Sequence, residues 1–334
     1  MAWNENIAGD EVARFTGYAN ELRQMQKARM RDGKTPRALH GKQHVGAVGQ
    51  LTLIPPPPGA PRPALFARPS TWPVYARFSN GSGARQHDGV ADVRGLAIKL
   101  VGVPGKKIIS GLEDKLTQDF LFIQAPATPF RGPDEFVSFV RIAAKGKGLL
   151  VPRLIGAFGL GRSLSVVRAL ASMPKVGSLA TTRFYTAAPI RFGESAAKLA
   201  IFPLSPAAGS SGTGRDALRD DLVSRLQAGP VEYGLHAQLF VDESTTPIED
   251  ASIVWPEAKA PFQELGRLTL PRQDVHSPRG REIEELVERL SFDPWHAVEE
   301  LRPLGAMMRA RSHAYRESVL ERQAAAEPDR VLSL

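Results

Sequence analysis

Val74-Tyr-Ala-Arg-Phe-Ser79 and Val93-Arg-Gly-Leu-Ala-Ile-Lys-Leu-Val101 are the stretches of sequence that decide the fold. Branched, aliphatic and aromatic residues dominate both stretches, and such residues are enriched in β-strands. The chain between the two stretches is rich in glycine, which is typical of a loop. They therefore predict two strands that follow each other along the chain and belong to one sheet.

Strand patterns continue on both sides of this pair. The segment 44–54 is rich in β-forming residues and contains glycines, which predict a strand that bends. Residues 207–214 combine glycine and serine and predict a flexible loop. The remaining predicted strands are 119–124, 182–186, 197–203, 233–241 and 265–270.

Helical patterns lie at both ends of the chain and at one place between the strands. Residues 1–36 predict an N-terminal helical arm, and residues 134–179 predict a helical excursion interrupted by glycines. Residues 282–290 and 307–325 predict C-terminal helices. The sequence therefore predicts an α+β protein, an antiparallel β-barrel with helices at the N- and C-termini and one helical excursion. We expect residues 37–334 to form the barrel with its C-terminal helices, and the chain to be a single domain overall.

Composition excludes several classes of function. The 334 residues include no cysteine, which excludes disulfides, zinc–thiolate sites and thiol catalysis. The N-terminus lacks the basic and then apolar pattern of a secretory signal. No stretch approaches the ~20 apolar residues of a membrane span. These features predict a cytoplasmic protein without stable membrane insertion.

Charge does not predict a nucleic-acid partner. The formal net charge is +8, but the 43 Lys and Arg residues are scattered among 35 acidic residues without a long basic run. An arginine surplus also suits a protein that binds an anionic small molecule.

The segment 148–160 is both apolar and basic, and its glycines and Pro152 favour a packed excursion or a subunit contact over membrane-surface binding. We expect a homodimer, because helical excursions and arms of barrels often contact a partner subunit.

Arg311 and Tyr315 stand four residues apart in a predicted helix, and residues at this spacing share a helix face. A free tyrosine, with a pKa of about 10, is a poor metal ligand at neutral pH. A guanidinium group beside the phenol oxygen stabilises the phenolate. A tyrosinate held in this way suits a ferric haem as an axial ligand. The pair therefore predicts one side of a haem site, provided that the rest of the chain supplies the other side.

Two further motifs supply that other side. The first is Arg37-Ala-Leu-His40, and the second is Arg77-Phe-Ser79 followed after a loop by Asp92-Val-Arg-Gly-Leu-Ala-Ile-Lys99. In this order they resemble the haem catalases, in which an Arg-x-x-His element opens the first barrel strand. That family's next strands carry Arg-Phe-Ser and Asp-x-Arg-Gly-Phe-Ala-x-Lys elements.

The C-terminal helix resembles the same family. Catalases place one arginine four residues before the axial tyrosine and another seven residues after it, and these positions are Arg311, Tyr315 and Arg322 here. The short chain and the segments 292–296 and 302–305 are similar to the small catalase-related peroxidases. Those proteins keep the barrel and lack the long arms and the extra C-terminal domain of ordinary catalases. The resemblance implies a barrel of the catalase type and haem b as the cofactor.

The resemblance also implies a role for each motif residue. His40 would be the distal general acid–base, a neutral imidazole that takes a proton from peroxide and returns it to the leaving oxygen. Ser79 would hold the other ring nitrogen of His40 or stack beside it. Tyr315 would ligate the iron from the other face, and Arg311 would keep the phenolate ionised. The residues implied to bind the haem propionates are Arg37, Arg77 and Arg322.

Two positions depart from ordinary catalases. An alignment without gaps puts Thr117, with Gln118 beside it, where catalases carry a distal asparagine. The loss of that amide would weaken the positioning of hydrogen peroxide. Gly81 stands where catalases have a bulky branched residue, so the channel should admit larger hydroperoxides or reducing co-substrates. The residue that stacks on the haem plane is Phe130 or Phe136.

These features predict a haem peroxidase that reduces hydrogen peroxide or organic hydroperoxides with a small organic electron donor, with weak catalase activity at most. One alternative is a hydroperoxide isomerase like the catalase-like allene oxide synthases, which also have a distal threonine. Two further alternatives are a haem-binding protein without turnover and a catalase-like protein that has lost haem.

A metal site at two histidines is a separate possibility in the sequence. His44 shares helical spacing with His40 and suggests a metal pair, but no third ligand is evident in the sequence.

Overall fold

The computed structural model describes residues 3–33, 35–205 and 212–334. The β-strands are β1 (Gln43–Leu53), β2 (Ser70–Asn80), β3 (Arg94–Val101), β4 (Thr117–Ile123), β5 (Phe184–Tyr185), β6 (Ile190–Phe192), β7 (Ser195–Pro203), β8 (Val231–Leu239) and β9 (Phe262–Leu270). The α-helices are α1 (Glu11–Lys27), α2 (Pro133–Ala144), α3 (Leu150–Phe158), α4 (Leu160–Ala171), α5 (Ala217–Ala228), α6 (Pro278–Arg289) and α7 (Ala306–Glu321).

Eight strands close into an antiparallel barrel. Hydrogen bonds connect them in the order β1-β2-β3-β4-β5-β7-β8-β9, and β9 pairs with β1. β6 adds to β7 as a short hairpin. Closure pairs the strands that would otherwise be sheet edges, which removes the free edge groups of an open sheet. The predicted antiparallel barrel with helices at both ends and one helical excursion is confirmed.

The barrel buries side chains on both faces of its central strands. Phe78 of β2, Phe184 of β5 and Tyr233 of β8 meet inside it, with ring centroids 6.2–6.5 Å apart. Outside, Ile283 and Val287 of α6 pack over β1 and β2. A strand covered on both faces has a continuous apolar sequence instead of an alternating one. This covering explains why Val74, Tyr75 and Ala76, at successive positions of β2, are all buried.

α1 and α7 pack against each other, so the N-terminal arm holds the helix that carries Tyr315. Arg309 of α7 lies 2.7 Å from Glu11 of α1, and Lys27 lies 3.1 Å from Glu321 at the other end of the pair. In the part of the chain that the structure describes, no helix combines the length and the apolar composition needed to cross a membrane.

Two elements of the fold were not predicted from the sequence, namely α5 and β6. α5 buries five of its twelve residues, namely Ala217, Leu218, Leu222, Val223 and Leu226, and this spacing is one from which a helix could have been predicted. β6 has three residues, which is too short for an alternating pattern to show. Residues 206–211, which include most of the predicted 207–214 loop, lie outside the described residues.

Candidate functional site

A cavity of about 450 Å³ lies beside β2, β3 and β4 and is closed on another side by α7. Its volume falls within the range of about 300–1,000 Å³ that is usual for sites of small molecules and cofactors. The predicted site residues that line this cavity are Arg37, His40, Arg77, Ser79, Phe130, Phe136, Arg311, Tyr315 and Arg322. The structure therefore brings together two groups of motifs that are more than 200 residues apart in the sequence.

His40 is held by its backbone and by its ring. Its φ of 55° lies in the left-handed region, which is uncommon for a residue other than glycine and is tolerated best by short polar residues and His. The His40 amide donates to the Gly81 carbonyl at 2.9 Å, and Arg77 Nη2 donates to the His40 carbonyl at 3.0 Å. His40 Nδ1 lies 3.0 Å from Ser79 Oγ. Ser79 thus occupies one ring nitrogen, which leaves Nε2 for proton transfer.

Gly95 of β3 makes room for this imidazole. A Cβ at this position would lie 2.9 Å from His40 Cε1 and 3.3 Å from Ser79 Oγ. Contacts below about 3.0 Å require one of the two groups to move. Gly95 was not predicted as a site residue, although it belongs to the Asp92–Lys99 motif.

The surroundings of His40 keep its ring neutral. Burial, with smaller contributions from the positive charges of Arg77 and Arg311, lowers the pKa of the His40 imidazole from 6.5 to about 3. Taking an imidazolium out of water is unfavourable, and nearby guanidinium groups repel its charge. His40 is therefore neutral and able to accept a proton at neutral pH, which is the state that a general base needs.

Arg37 and Arg322 are anchored by the end of a helix. Arg37 Nη2 donates to the Glu288 and Leu290 carbonyls at 2.9 and 2.7 Å. Arg322 donates to the Arg289 and Leu290 carbonyls at 3.0 and 2.7 Å. These carbonyls lie at the C-terminus of α6, where helix groups lack intrahelical partners and the dipole attracts positive charge. The helix end therefore fixes two cations at the wall of the cavity.

The cavity holds more positive than negative charge around these arginines. Arg77 forms an ion pair with Glu288 at 2.8 Å, whereas Arg37 and Arg322 have only carbonyl partners among the described residues. Arg37 Nε has no hydrogen-bond partner at all there. Burial and repulsion from neighbouring guanidinium groups lower the pKa of Arg37, and they lower the pKa of Arg322 to about 10. Such a cluster fits an anionic group, and the two propionates of a haem match it in charge.

The axial pair has the geometry that its spacing predicts. Arg311 Nη2 donates to the Tyr315 hydroxyl oxygen at 2.8 Å, and Arg311 Nη1 lies 3.2 Å from Met308 Sδ. A tyrosine whose hydroxyl oxygen accepts from an arginine, a neutral imidazole and surplus arginines around one mainly apolar cavity fit a haem with a tyrosine ligand.

Phe130 and Phe136 line the same wall of the cavity. Their ring centroids are 5.7 Å apart with an angle of 70° between the planes, and Phe139 lies 5.0 Å from Phe130. The aromatic cluster is continuous with α4 through Val166. This wall is apolar, as a site for a porphyrin face requires.

Thr117 does not lie at the cavity, which corrects the prediction of a distal threonine. Thr117 pairs with Val101, whereas Ile123 at the other end of β4 pairs with Gly95 beside the imidazole. Six residues of strand separate the two ends, a distance of about 20 Å. An alignment without gaps measures position along the chain, but the pairing register decides which end of the strand reaches the cavity.

Thr117 instead belongs to a buried polar network. Its Oγ1 donates to Glu327 Oε2 at 2.8 Å and lies 3.1 Å from His296 Nε2. Lys99 Nζ lies 2.7 Å from Asp119 Oδ1 and 2.6 Å from Glu327 Oε2. We call Lys99, Asp119 and Glu327 the lysine network.

His44 lies in another buried cluster, apart from the cavity lining. Its Nε2 is 2.6 Å from Asn80 Oδ1, and its Nδ1 is 3.7 Å from Asp88 Oδ2. Over residues 3–33, 35–205 and 212–334, no three His, Cys, Asp or Glu side chains are grouped so that they could hold a metal ion. Glu288, the ion-pair partner of Arg77, was not predicted from the sequence, because there it is one of several acids on the predicted 282–290 helix.

Comparisons with known proteins agree with this architecture. No protein-family model matches the chain. The chain is 27% identical over 271 residues to a catalase-related peroxidase from Mycolicibacterium paratuberculosis, a match that covers 75% of this chain and 78% of that protein. Catalase A from Saccharomyces cerevisiae has a similar structure, with a TM-score of 0.65 at 15% identity, covering 88% of this chain and 62% of that one. A bacterial catalase gives a TM-score of 0.64 at 16% identity, covering 96% and 62%. The chain thus spans about three fifths of the length of these catalases.

Proposed function

Because the chain is a homologue of a catalase-related peroxidase and has the catalase fold, we propose that it is a haem-dependent peroxidase. It would reduce hydrogen peroxide or organic hydroperoxides with a small organic electron donor, and would have weak catalase activity at most. The observation that carries this proposal is the cavity itself. It places the Arg311–Tyr315 pair, the neutral His40 imidazole and the surplus positive charge of three arginines around one volume.

The residues of the chain divide the work between binding and proton transfer. Haem b, when bound, supplies the iron centre at which the peroxide bond is cleaved. Tyr315 would ligate that iron with Arg311 stabilising the phenolate, and Arg37, Arg77 and Arg322 would bind the propionates. His40 Nε2 would accept the proton from the inner peroxide oxygen and deliver it to the outer oxygen, which leaves as water or alcohol. Ser79 would fix the ring for both transfers.

The alternative of a hydroperoxide isomerase loses the feature that favoured it. That alternative depended on a threonine in the distal pocket, and Thr117 is bonded to Glu327 away from the cavity. Gly81 lines the cavity and carries no side chain that would narrow it there. This opening suits the access of an organic electron donor, as peroxidase chemistry requires.

An absorption spectrum of the haem-loaded protein, with Tyr315→Phe beside the wild type, tests the proposal. We expect a high-spin ferric tyrosinate spectrum in the wild type and its loss in the variant, because phenylalanine has no oxygen to ligate iron. The control is Tyr185→Phe, which removes a phenol outside the cavity lining. A wild-type protein without a Soret band after haem addition would refute haem binding. A normal spectrum with no peroxide-dependent oxidation of any donor would support a haem-binding protein without turnover.

A further inference from the structure

The helical excursion exposes large apolar side chains on two consecutive helices. Val151 and Ile155 of α3 are 44% and 37% exposed, and Leu160 and Leu164 of α4 are 60% and 56% exposed. Each pair has i, i+4 spacing and therefore shares a helix face. Large apolar residues grouped on a surface, unlike single scattered ones, mark an interaction site. We call these four residues the α3–α4 face.

The charged residues of α3 and α4 themselves are all basic. The sequence has no Asp or Glu between Glu135 and Glu194. Of the basic residues in that interval, Arg141 and Arg162 are neutralised by ion pairs with Glu21 and Glu135. Within the described part of the chain, the excursion's basic side chains without a carboxylate partner are Lys145, Arg153, Arg168 and Lys175.

This combination selects one kind of partner. Apolar side chains bordered by Lys and Arg suit an anionic lipid surface, where the apolar groups enter the boundary between headgroups and acyl chains and the cations meet the phosphates. A second copy of the same face fits less well, because a symmetric contact would bring like charges together. The two carboxylates of the excursion, Asp134 and Glu135, are already bonded to Arg14 and Arg162. We propose that the α3–α4 face docks peripherally on an anionic lipid bilayer.

Docking would bring the cavity close to the bilayer, because the excursion forms part of its wall. Leu170 of α4 and Val137 of α2 line the cavity, while Leu160 and Leu164 lie on the exposed face of the same α4 helix. A peroxide dissolved in the bilayer would reach the cavity along this helix. This consequence rests on the proposed peroxidase function, whereas the docking itself does not.

Flotation of the full-length protein with lipid vesicles tests the docking without any peroxide chemistry. We expect at least about tenfold stronger partitioning to vesicles of phosphatidylcholine with phosphatidylglycerol than to phosphatidylcholine alone, and a decrease as salt screens the charges. Leu160→Ser with Leu164→Ser should weaken binding to the anionic vesicles at least tenfold. Arg168→Gln with Lys175→Gln should weaken it by a similar factor, since each basic residue contributes about fivefold. The matched control is Leu116→Ser, which changes a leucine of 54% exposure outside the excursion.

Circular dichroism of each variant confirms folding, which exposed substitutions should preserve. Equal partitioning of the wild type to both kinds of vesicle would overturn the proposal, and so would equal losses in the control and the double variants. A wild-type dimer that the double leucine variant dissociates, with no vesicle binding, would assign the face to a second copy and overturn it as well. A protein that binds vesicles but lacks peroxidase activity would refute the proposed function and leave the docking intact.

Discussion

The arginine cluster of the cavity and the lysine network beside it are both buried, but they balance charge in opposite ways. The arginine cluster, Arg37, Arg77 and Arg322, has three guanidinium groups, and among the described residues its ion-pair partner is the carboxylate of Glu288. In the lysine network, one ammonium group lies between two carboxylates at 2.7 and 2.6 Å. Burial alone would lower the pKa of Lys99, but the two carboxylates raise it above its usual value. The first cluster carries surplus positive charge that faces a cavity, whereas each charged group of the second lies within 2.7 Å of a group of opposite charge.

The difference shows which buried charges serve binding and which serve the fold. Burying an unpaired charge is costly, so a cluster with surplus charge at a cavity wall is explained when a ligand supplies the missing charge. The residues of the lysine network do not line the cavity; its two carboxylates share the Lys99 ammonium group and connect β3 and β4 to the C-terminal segment through Glu327. Substitutions in it should change stability, whereas substitutions at the cavity should change binding and turnover.

The largest effect is expected for Lys99→Met in the lysine network. The variant leaves two carboxylates buried without their cation, which should lower the free energy of unfolding by about 3–5 kcal/mol. Urea denaturation followed by circular dichroism measures the change. Lys115→Met, at an exposed lysine, is the control and should change stability by less than about 0.5 kcal/mol. A loss of haem affinity without a loss of stability in Lys99→Met would reverse the roles that we assign to the two clusters.

Gly95→Ala should affect turnover more than stability. The new Cβ would lie 2.9 Å from His40 Cε1, so the imidazole must move within the cavity. A displacement of about 1 Å at a reacting group can cost up to about 10²-fold in rate. Stopped-flow measurement of the reaction of the haem-loaded protein with peroxide gives the rate constant. Gly17→Ala, where a Cβ meets no atom within 4 Å, is the control, and equal rates in both variants would show that His40 needs no such placement.

Arg322→Gln should weaken haem binding while changing the stability of the haem-free protein by no more than about 1 kcal/mol. Removing a charged donor to a propionate costs about 1.5–3 kcal/mol, which is about 10- to 100-fold in affinity. Relief of repulsion with Arg77 should offset the lost hydrogen bonds to the α6 carbonyls. Haem titration gives the affinity, and Arg316→Gln on the exposed side of the same helix is the control. A strongly destabilised variant with normal haem affinity would make the arginine cluster a structural one.

The smallest effect is expected in the pH dependence of the peroxide reaction. Because burial and nearby guanidinium groups lower the pKa of His40 to about 3, the imidazole stays neutral as pH falls from 8 to about 4. The rate constant of peroxide consumption should therefore change little over this interval, and acid should inhibit only as pH approaches about 3. Stopped-flow kinetics across pH measures this. An acid limb with a midpoint near 6.5 that His40→Gln abolishes would show that His40 is solvated like a free histidine.

Much of the fold and part of the candidate site could be predicted from the sequence. The strands around Phe78 and Leu96 were predicted because branched, aliphatic and aromatic residues dominate both stretches and a glycine-rich loop separates them. The barrel followed from several such strand patterns in order. The Arg311–Tyr315 contact was predicted because helix periodicity alone brings the two side chains together. The roles of the residues that line the cavity stay predictions until haem binding and turnover are measured.

The sequence by itself therefore determined what depends on local periodicity: the strands, the terminal helices and the pairing of Arg311 with Tyr315. Only the tertiary structure decided which residues share the cavity. It placed Thr117 against Glu327 of the lysine network, Glu288 beside Arg77, and the carbonyl groups at the end of α6 within hydrogen-bond distance of Arg37 and Arg322. The physical reason is that strand register and helix docking are set by contacts between distant segments, and no local pattern of residues specifies where those segments meet.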